Sequence, residues 1–385
     1  MSFGKMPMAN GFLKKSDFKK EFFYNLQVGF NEKNYLFQVG NHPKSSRIFN
    51  NKYPFFTHKS KLMINHFKSF FKWLNKNYLK KNHKIIEIGS NDGTFSSYFK
   101  KKKYDILGFE PSLNVAKIAR KKGLKVSSKF FNYENVLKFK TLKNQVNLIC
   151  AANVICHIPN LKNLIKSIDY LLAKDGLFIF EEPYLGSMFN KVSYDQIYDA
   201  HVFIFSLHSV KTIFNDFGFE LINAVPQTTH GGSMRYVIAR KKVFKVLDSV
   251  KHLLVKEKVN KLHKLSSCIK FKKNCQLSKN KFRLKILNLK KKGKRICGYA
   301  ASAKSTTALN YCGIDHNYID FIVDSTKEKI GKFTPGTHIP IKSPSYFRKN
   351  YPDITILNSW NHKKEILKKE HRFKKKGGKW ISHVK

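Results

Sequence analysis

Apolar runs at residues 85–88, 106–109, 146–151 and 177–180 alternate with helix-compatible segments at 94–100, 112–121 and 161–172. This alternation leaves few folds open. The runs are nearly continuous rather than alternating with polar residues, as in strands buried on both faces, and each gap is long enough for a crossover helix. Ser112 caps the second helix and Gly123 ends it, while Asp175 and Gly176 are expected to turn the chain into the fourth strand. The predicted fold is α/β, a mostly parallel, doubly wound sheet. Ligands of such sheets bind beyond the carboxyl ends of the strands, where Gly89 to Gly93, Glu110, Asn153 and Glu181 all fall.

The first turn is the most informative of these. Strand 85–88 runs through Glu87 into Gly89, Ser90, Asn91, Asp92 and Gly93, and strand 106–109 ends on an acid, Glu110. Glycines there let a ligand approach the backbone, and a carboxylate after the next strand can accept from ribose hydroxyls. The spacing E-x-G-x-x-x-G lacks the closely spaced glycines that seat a pyrophosphate, which argues against NAD or FAD and for a cofactor without phosphate. S-adenosylmethionine meets that description. Glu110 would then hold its ribose, the turn would face its methionine end, and Asn153 would close the pocket. The competing reading is an ordinary strand-to-helix loop.

At 385 residues the chain has room for two or three domains. Its 74 Lys and Arg against 25 Asp and Glu give a net charge of +49, which raises the question of nucleic acid. The lysines are scattered through every segment alongside abundant Asn, Phe and Ile, with no RNA-binding motif or zinc knuckle, so no nucleic-acid partner is expected. No apolar run approaches the roughly 20 residues that span a bilayer and no signal core opens the chain, so a cytoplasmic protein without a membrane partner is expected. The cysteines form no CxxC pair, and reduced, mostly buried thiols are the expectation.

Around the central unit, residues 1–60 read as a small turn-rich lobe and 61–240 as the cofactor-binding domain. A polar-aromatic stretch, YDQIYDAHVFIFS at 194–206, falls late in that domain. Residues 241–294 are Lys-rich and amphipathic, a helical connector. From 295 to 385 a second strand-helix-strand unit begins, with a small-residue turn at 300–303 followed by Lys304 and Ser305, a helix start suited to phosphate.

Eight segments in order, EIGSNDGTF (87–95), ANVICHIPNL (152–161), EEPYL (181–185), the 194–206 stretch, THGGSMR (229–235), GYAASAKS (298–305), LNYCGI (309–314) and TPGTHIPI (334–341), resemble the S-adenosylmethionine-dependent sugar C-methyltransferases. The resemblance implies a class I methyltransferase domain of Rossmann-like fold, an N-terminal zinc-binding lobe and a C-terminal α/β domain that helps hold a nucleotide-diphospho-4-keto sugar. It places the catalytic base at His201 with Tyr198 beside it, and Asp199 either orients the ring or caps a turn. His230, Gly231 and Arg235 would approach the sugar or its phosphates, against the alternative of a plain hairpin turn, and Lys304 and Ser305 would contact phosphate. His157 is read as structural, against the alternative that it lines the cofactor pocket, and one of Glu181 and Glu182 as closing a strand at the site rim, against acid-base work by the pair.

The chain departs from the family at two places. The second zinc-binding cysteine pair falls at Asn31 and Asn34 and the first would precede Met1, so neither zinc nor another metal is expected. The glutamate that usually precedes the histidine is Ala200, which leaves open a non-catalytic sugar-nucleotide binder or a methyltransferase for another acceptor. A monomer or weak homodimer is expected.

Overall fold

The structure is a computed structural model and describes residues 1–51 and 53–384. The N-terminal lobe is antiparallel: β1 (Ser2–Pro7), β2 (Phe23–Asn31) and β3 (Leu36–Val39) pair in sequence order. In β2, Leu26 and Val28 are buried while Asn25, Gln27 and Gly29 face out, the period-two pattern of a half-buried strand. Helix Lys61–Asn77 follows, its first turn capped by the Ser60 hydroxyl, which accepts from Met63 N. Phe67, Phe70, Phe71 and Leu74 recur at helical spacing and pack with Phe95 and Phe99.

The central unit then lays down β4 (Lys84–Ile88), β5 (Asp105–Phe109), β6 (Lys125–Ser127), β7 (Val146–Ala152) and β8 (Leu172–Pro183), all parallel. The two-residue strand β9 (Phe203–Ile204) leaves this sheet and pairs with β3, making the N-terminal sheet four-stranded in the order β1-β2-β3-β9. Finally β10 (Phe219–Gln227) and β11 (Ser233–Arg240) add antiparallel, giving a seven-stranded sheet in the order β10-β11-β8-β7-β4-β5-β6. Strand order reverses between β4 and β7, which places the crevice beyond their carboxyl ends. Asp175 and Gly176 do not form a separate turn. They lie within β8 where the register slips, Val146 pairing with Leu172 but Leu148 with Leu177, so the extra residues are absorbed as a bulge.

The connector is two helices, Asp248–Val259 and Leu265–Lys291. The first is bound back to the central unit: buried Glu257 accepts from Leu207 N and His208 N at the start of helix Leu207–Asn215. The last unit holds β12 (Ile296–Tyr299), β13 (Phe321–Val323), β14 (Ile341–Lys342), β15 (Ile354–Leu357) and β16 (Lys379–Ile381), all parallel, in the order β14-β13-β12-β15-β16. One core joins the N-terminal lobe to this unit: Leu26 and Phe37, Met188 and Tyr194, Phe271, and Ile296 and Leu309 all belong to it. Among the described residues no helix is long and apolar enough to cross a membrane.

Candidate active site

The carboxyl ends of the parallel strands of both units face a common cavity of about 990 Å³. Its wall takes Glu87, Gly89, Asn91, Glu110 and Asn153 from one unit and Ala300–Lys304 with Asp324 from the other, with Tyr198, His201 and His230 also on the wall. Both units contribute to the wall.

At the first sheet, Gly89 N and Ser90 N donate to Phe109 O, folding the turn back over β5. Gly89 sits at φ +68° and any β-carbon there would run into Val154, so this position requires glycine. Glu110 accepts from Asn91 N at 3.0 Å and from Ser112 N at 2.8 Å, so its carboxylate is held at the cavity edge by two backbone amides. Asn91 reaches outward, its Oδ1 accepting from Thr57 N and its Nδ2 donating to Phe55 O, which lays the 55–57 segment along the cavity. Glu87 is buried and receives the Ser96 hydroxyl; burial pushes its carboxyl up to about 8. Asn153 stands at φ +57°, and its buried Oδ1 has no partner among the described residues. An orphan acceptor on this wall fits a ligand that brings hydrogen-bond donors, as the amino-acid end of S-adenosylmethionine does.

Asp92 and Gly93 were expected to contact the cofactor, but the structure puts them behind the turn. The Asp92 carboxylate accepts from His58 N and Thr94 N and lies 3.7 Å from Lys122 Nζ, while Gly93 packs on Ala119 and Leu124. Three consecutive turn residues cannot all point one way, and these two brace the loop.

Tyr198 and His201 form a dyad. His201 Nδ1 lies 2.7 Å from Gln196 O; a carbonyl only accepts, so Nδ1 carries the proton and Nε2 is left with its lone pair. That lone pair accepts from Tyr198 Oη at 2.5 Å. Burial, and then neighbouring His157, hold the His201 ring well below the ordinary imidazole range, so it is neutral at pH 7. Asp199 does not orient this ring. Its Oδ2 accepts from Ala9 N and its Oδ1 from Ala200 N, with burial pushing the carboxyl up to about 6, and the Gln196 carbonyl does the orienting.

His157, read from sequence as structural, belongs to the cavity wall with its ring 5.2 Å from His201. Its Nδ1 donates to Ala200 O at 2.5 Å, so the residue just before His201 fixes a second imidazole through its backbone. Glu182 holds the same loop, accepting from Val154 N at 2.8 Å and Ile155 N at 2.6 Å. Cys156, His157 and His201 bring their ligand atoms within 4.8 Å of one another, and burial holds the Cys156 thiol well above its usual range. Asn31 ends β2, and Asn34 lies in the following turn. Their Oδ1 atoms accept from Lys33 N and Leu36 N, shaping the hairpin.

Between β10 and β11, His230 faces the cavity at φ +53°, its buried Nε2 without a partner among the described residues, and burial with nearby Lys304 pushes its imidazole down to about 3. Lys304 Nζ lies 4.9 Å over the Trp360 ring and 3.4 Å from His230 O, poised on the wall. Three other expected contacts are not there. Gly231 is covered by Trp360, and the Ser305 hydroxyl closes a capping box with Ser302.

Arg235 is the third. It is buried on β11 with its guanidinium 3.8 Å over Phe70 and 4.3 Å over Trp73, and its Nε donates to Glu181 at 2.6 Å. Glu181 also meets His66 Nε2 at 2.5 Å, so this acid is an internal counter-ion rather than a rim residue. Arg235→Ala strands that carboxylate inside, and a stability loss of about 3–5 kcal/mol is expected in denaturant unfolding. The affinity for S-adenosylmethionine should stay unchanged; a large affinity loss in folded variant would restore Arg235 to the site.

Family models match in two pieces: a methyltransferase domain over residues 62–224 and a C-methyltransferase C-terminal domain over residues 228–384. C-methyltransferase NovU from Streptomyces niveus is 29% identical over 298 residues, covering 77% of this chain and 71% of that protein. Among solved structures, the PH0226 protein from Pyrococcus horikoshii OT3 aligns at 14% identity over 52% of this chain and all 100% of its own, with a TM-score of 0.40. Magnesium protoporphyrin IX methyltransferase from Synechocystis PCC 6803, with bound SAM, aligns at 14% identity over 46% of this chain and 79% of its own, with a TM-score of 0.35. Both are too distant for any detail of the site to rest on them.

Proposed function

We propose that this chain, which belongs to the S-adenosylmethionine-dependent C-methyltransferases, methylates a carbon alpha to the ketone of a nucleotide-diphospho-4-keto sugar by way of an enolate. The observation that carries the reading is the neutral Tyr198–His201 dyad at the junction of a cavity walled by two nucleotide-type sheet ends.

A proton alpha to a ketone is weakly acidic, so carbon methylation needs a base and stabilisation of the enolate. His201 is kept neutral, in the tautomer that presents Nε2, and Tyr198 donates to that nitrogen. The proton leaving the sugar carbon reaches Nε2 through the phenol, and the imidazolium formed there offsets the enolate charge inside a buried site. Glu110, Asn153 and the Gly89 turn would hold S-adenosylmethionine, which supplies an already activated methyl group. Lys304 and His230 would hold the substrate's diphosphate and sugar. The chain's remaining task is to align two carbons, and a cavity spanning both units does this by position.

The competing reading is a sugar-nucleotide binder that no longer methylates, favoured by Ala200, where no carboxylate assists the dyad. Incubating the protein with a 4-keto nucleotide sugar in heavy water, without cofactor, separates the two. Deuterium is expected at the alpha carbon. Tight binding of the nucleotide sugar with no exchange would leave the binder.

A further inference from the structure

The turn after β12 repeats the proposed cofactor turn after β4 in its main contacts, the acid taking the amide one residue after Ala300 where Glu110 takes the one two residues after Gly89. Gly89 follows β4 at φ +68° and donates to Phe109 O, the last residue of the neighbouring strand; Ala300 follows β12 at φ +76° and donates to Val323 O, the last residue of β13. The acid after each neighbouring strand then grips its own turn. Glu110 takes Asn91 N and Ser112 N, and Asp324 takes Ala301 N at 2.9 Å and Thr326 N at 2.8 Å. In both, the second amide lies two residues beyond the acid. Both acids are nearly buried, 5% and 8% exposed, and both stand on the cavity wall.

Ala300 makes the match more telling. A left-handed backbone costs an alanine what it does not cost a glycine, so the turn is held in this shape by what surrounds it. Each carboxylate oxygen that accepts one backbone N–H keeps further lone pairs, Asp324 Oδ2 also facing Lys329 Nζ at 3.5 Å, and a vicinal diol presents two hydroxyl donors to them. The first residues of helix Ala303–Cys312, with Lys304 among them, follow the turn directly, where a diphosphate on the same ligand would lie. We infer that Asp324 binds the ribose hydroxyls of the substrate's nucleoside, as Glu110 is proposed to do for the cofactor. This rests on the nucleotide-sugar reading above and adds to it the part of the nucleotide that is recognised.

The test is equilibrium binding of UDP, which presents two ribose hydroxyls, and dTDP, which presents one, against 2′,3′-dideoxyuridine diphosphate and 3′-deoxythymidine diphosphate, by calorimetry with the full chain. With wild type, removing every ribose hydroxyl is expected to weaken binding by about tenfold or more, the effect of lost hydrogen bonds to a charged group. With Asp324→Asn the parent nucleotides should weaken and the dideoxy penalty should shrink to nearly nothing, S-adenosylmethionine affinity serving as the check that the variant is folded. If wild type binds parent and dideoxy forms alike, or if Asp324→Asn weakens both equally, the carboxylate only braces the turn and the inference fails. If no nucleoside diphosphate binds at all, the nucleotide-sugar reading itself fails.

Discussion

His201→Asn is expected to lower turnover by about 10²–10⁴-fold, the contribution of a positioned general base, and to abolish deuterium exchange at the alpha carbon. Asparagine fills the space and can still donate toward Gln196 O, but it offers no lone pair that a proton can join near neutral pH. The affinity for S-adenosylmethionine should stay within a few-fold, because His201 is not part of the Gly89–Glu110 cradle. A large affinity loss, or a variant that still exchanges deuterium, would remove His201 from its role. The pH dependence has a definite sign. Burial and His157 disfavour the charged ring, so the base form persists as pH falls through the ordinary imidazole value of about 6.5 and the acid limb of activity lies below it. The same depression costs stability in acid: below that value the unfolded chain binds a proton that the buried ring refuses.

The second large effect is at Glu110. Glu110→Ala removes a carboxylate that holds two backbone amides and is proposed to accept from two ribose hydroxyls. If each ribose bond contributes about 1.5–3 kcal/mol, as hydrogen bonds to charged groups do, the dissociation constant for S-adenosylmethionine should rise by about 10²-fold or more. Unfolding should also become easier, because Ser112 N is buried against the lost oxygen. Glu110→Gln retains an acceptor for one amide and should fall between. An alanine variant that binds the cofactor as well as wild type would show that the acid serves the loop alone.

The parallel sheet was legible in the sequence because strands buried on both faces leave continuous apolar runs, and the Gly89 turn because φ +68° beside Val154 admits little else. The antiparallel pair β10 and β11 was legible only in part, and the pairing of β9 with the N-terminal lobe not at all. A two-residue strand carries no period, and its partner lies more than 160 residues away by the register of Phe37 with Ile204. Chemistry-bearing residue types were found, but their directions were not. Arg235, Asp199 and Ser305 have the composition of site residues, and each is spent on an internal partner that sequence spacing cannot display: Glu181, the Ala9 and Ala200 amides, and Ser302. His157 was undervalued for the converse reason, since a lone histidine after a strand says nothing about the second imidazole beside it. Asp324 had the same signal as Glu110, an acid directly after a strand, and only the paired amide contacts make the likeness visible.

The short ladder between β3 and β9 begins two residues after His201, and Ala9 of the same lobe donates to Asp199 while its carbonyl receives the Thr306 hydroxyl. The opening forty residues therefore work as a jig that sets the path of the segment carrying His201, the proposed base, between the two sheet units. A protein trimmed to residues 61–240 would keep Gln196 and Tyr198 on the His201 ring, yet the strand that follows the ring and the Asp199 carboxylate beside it would each lose a partner.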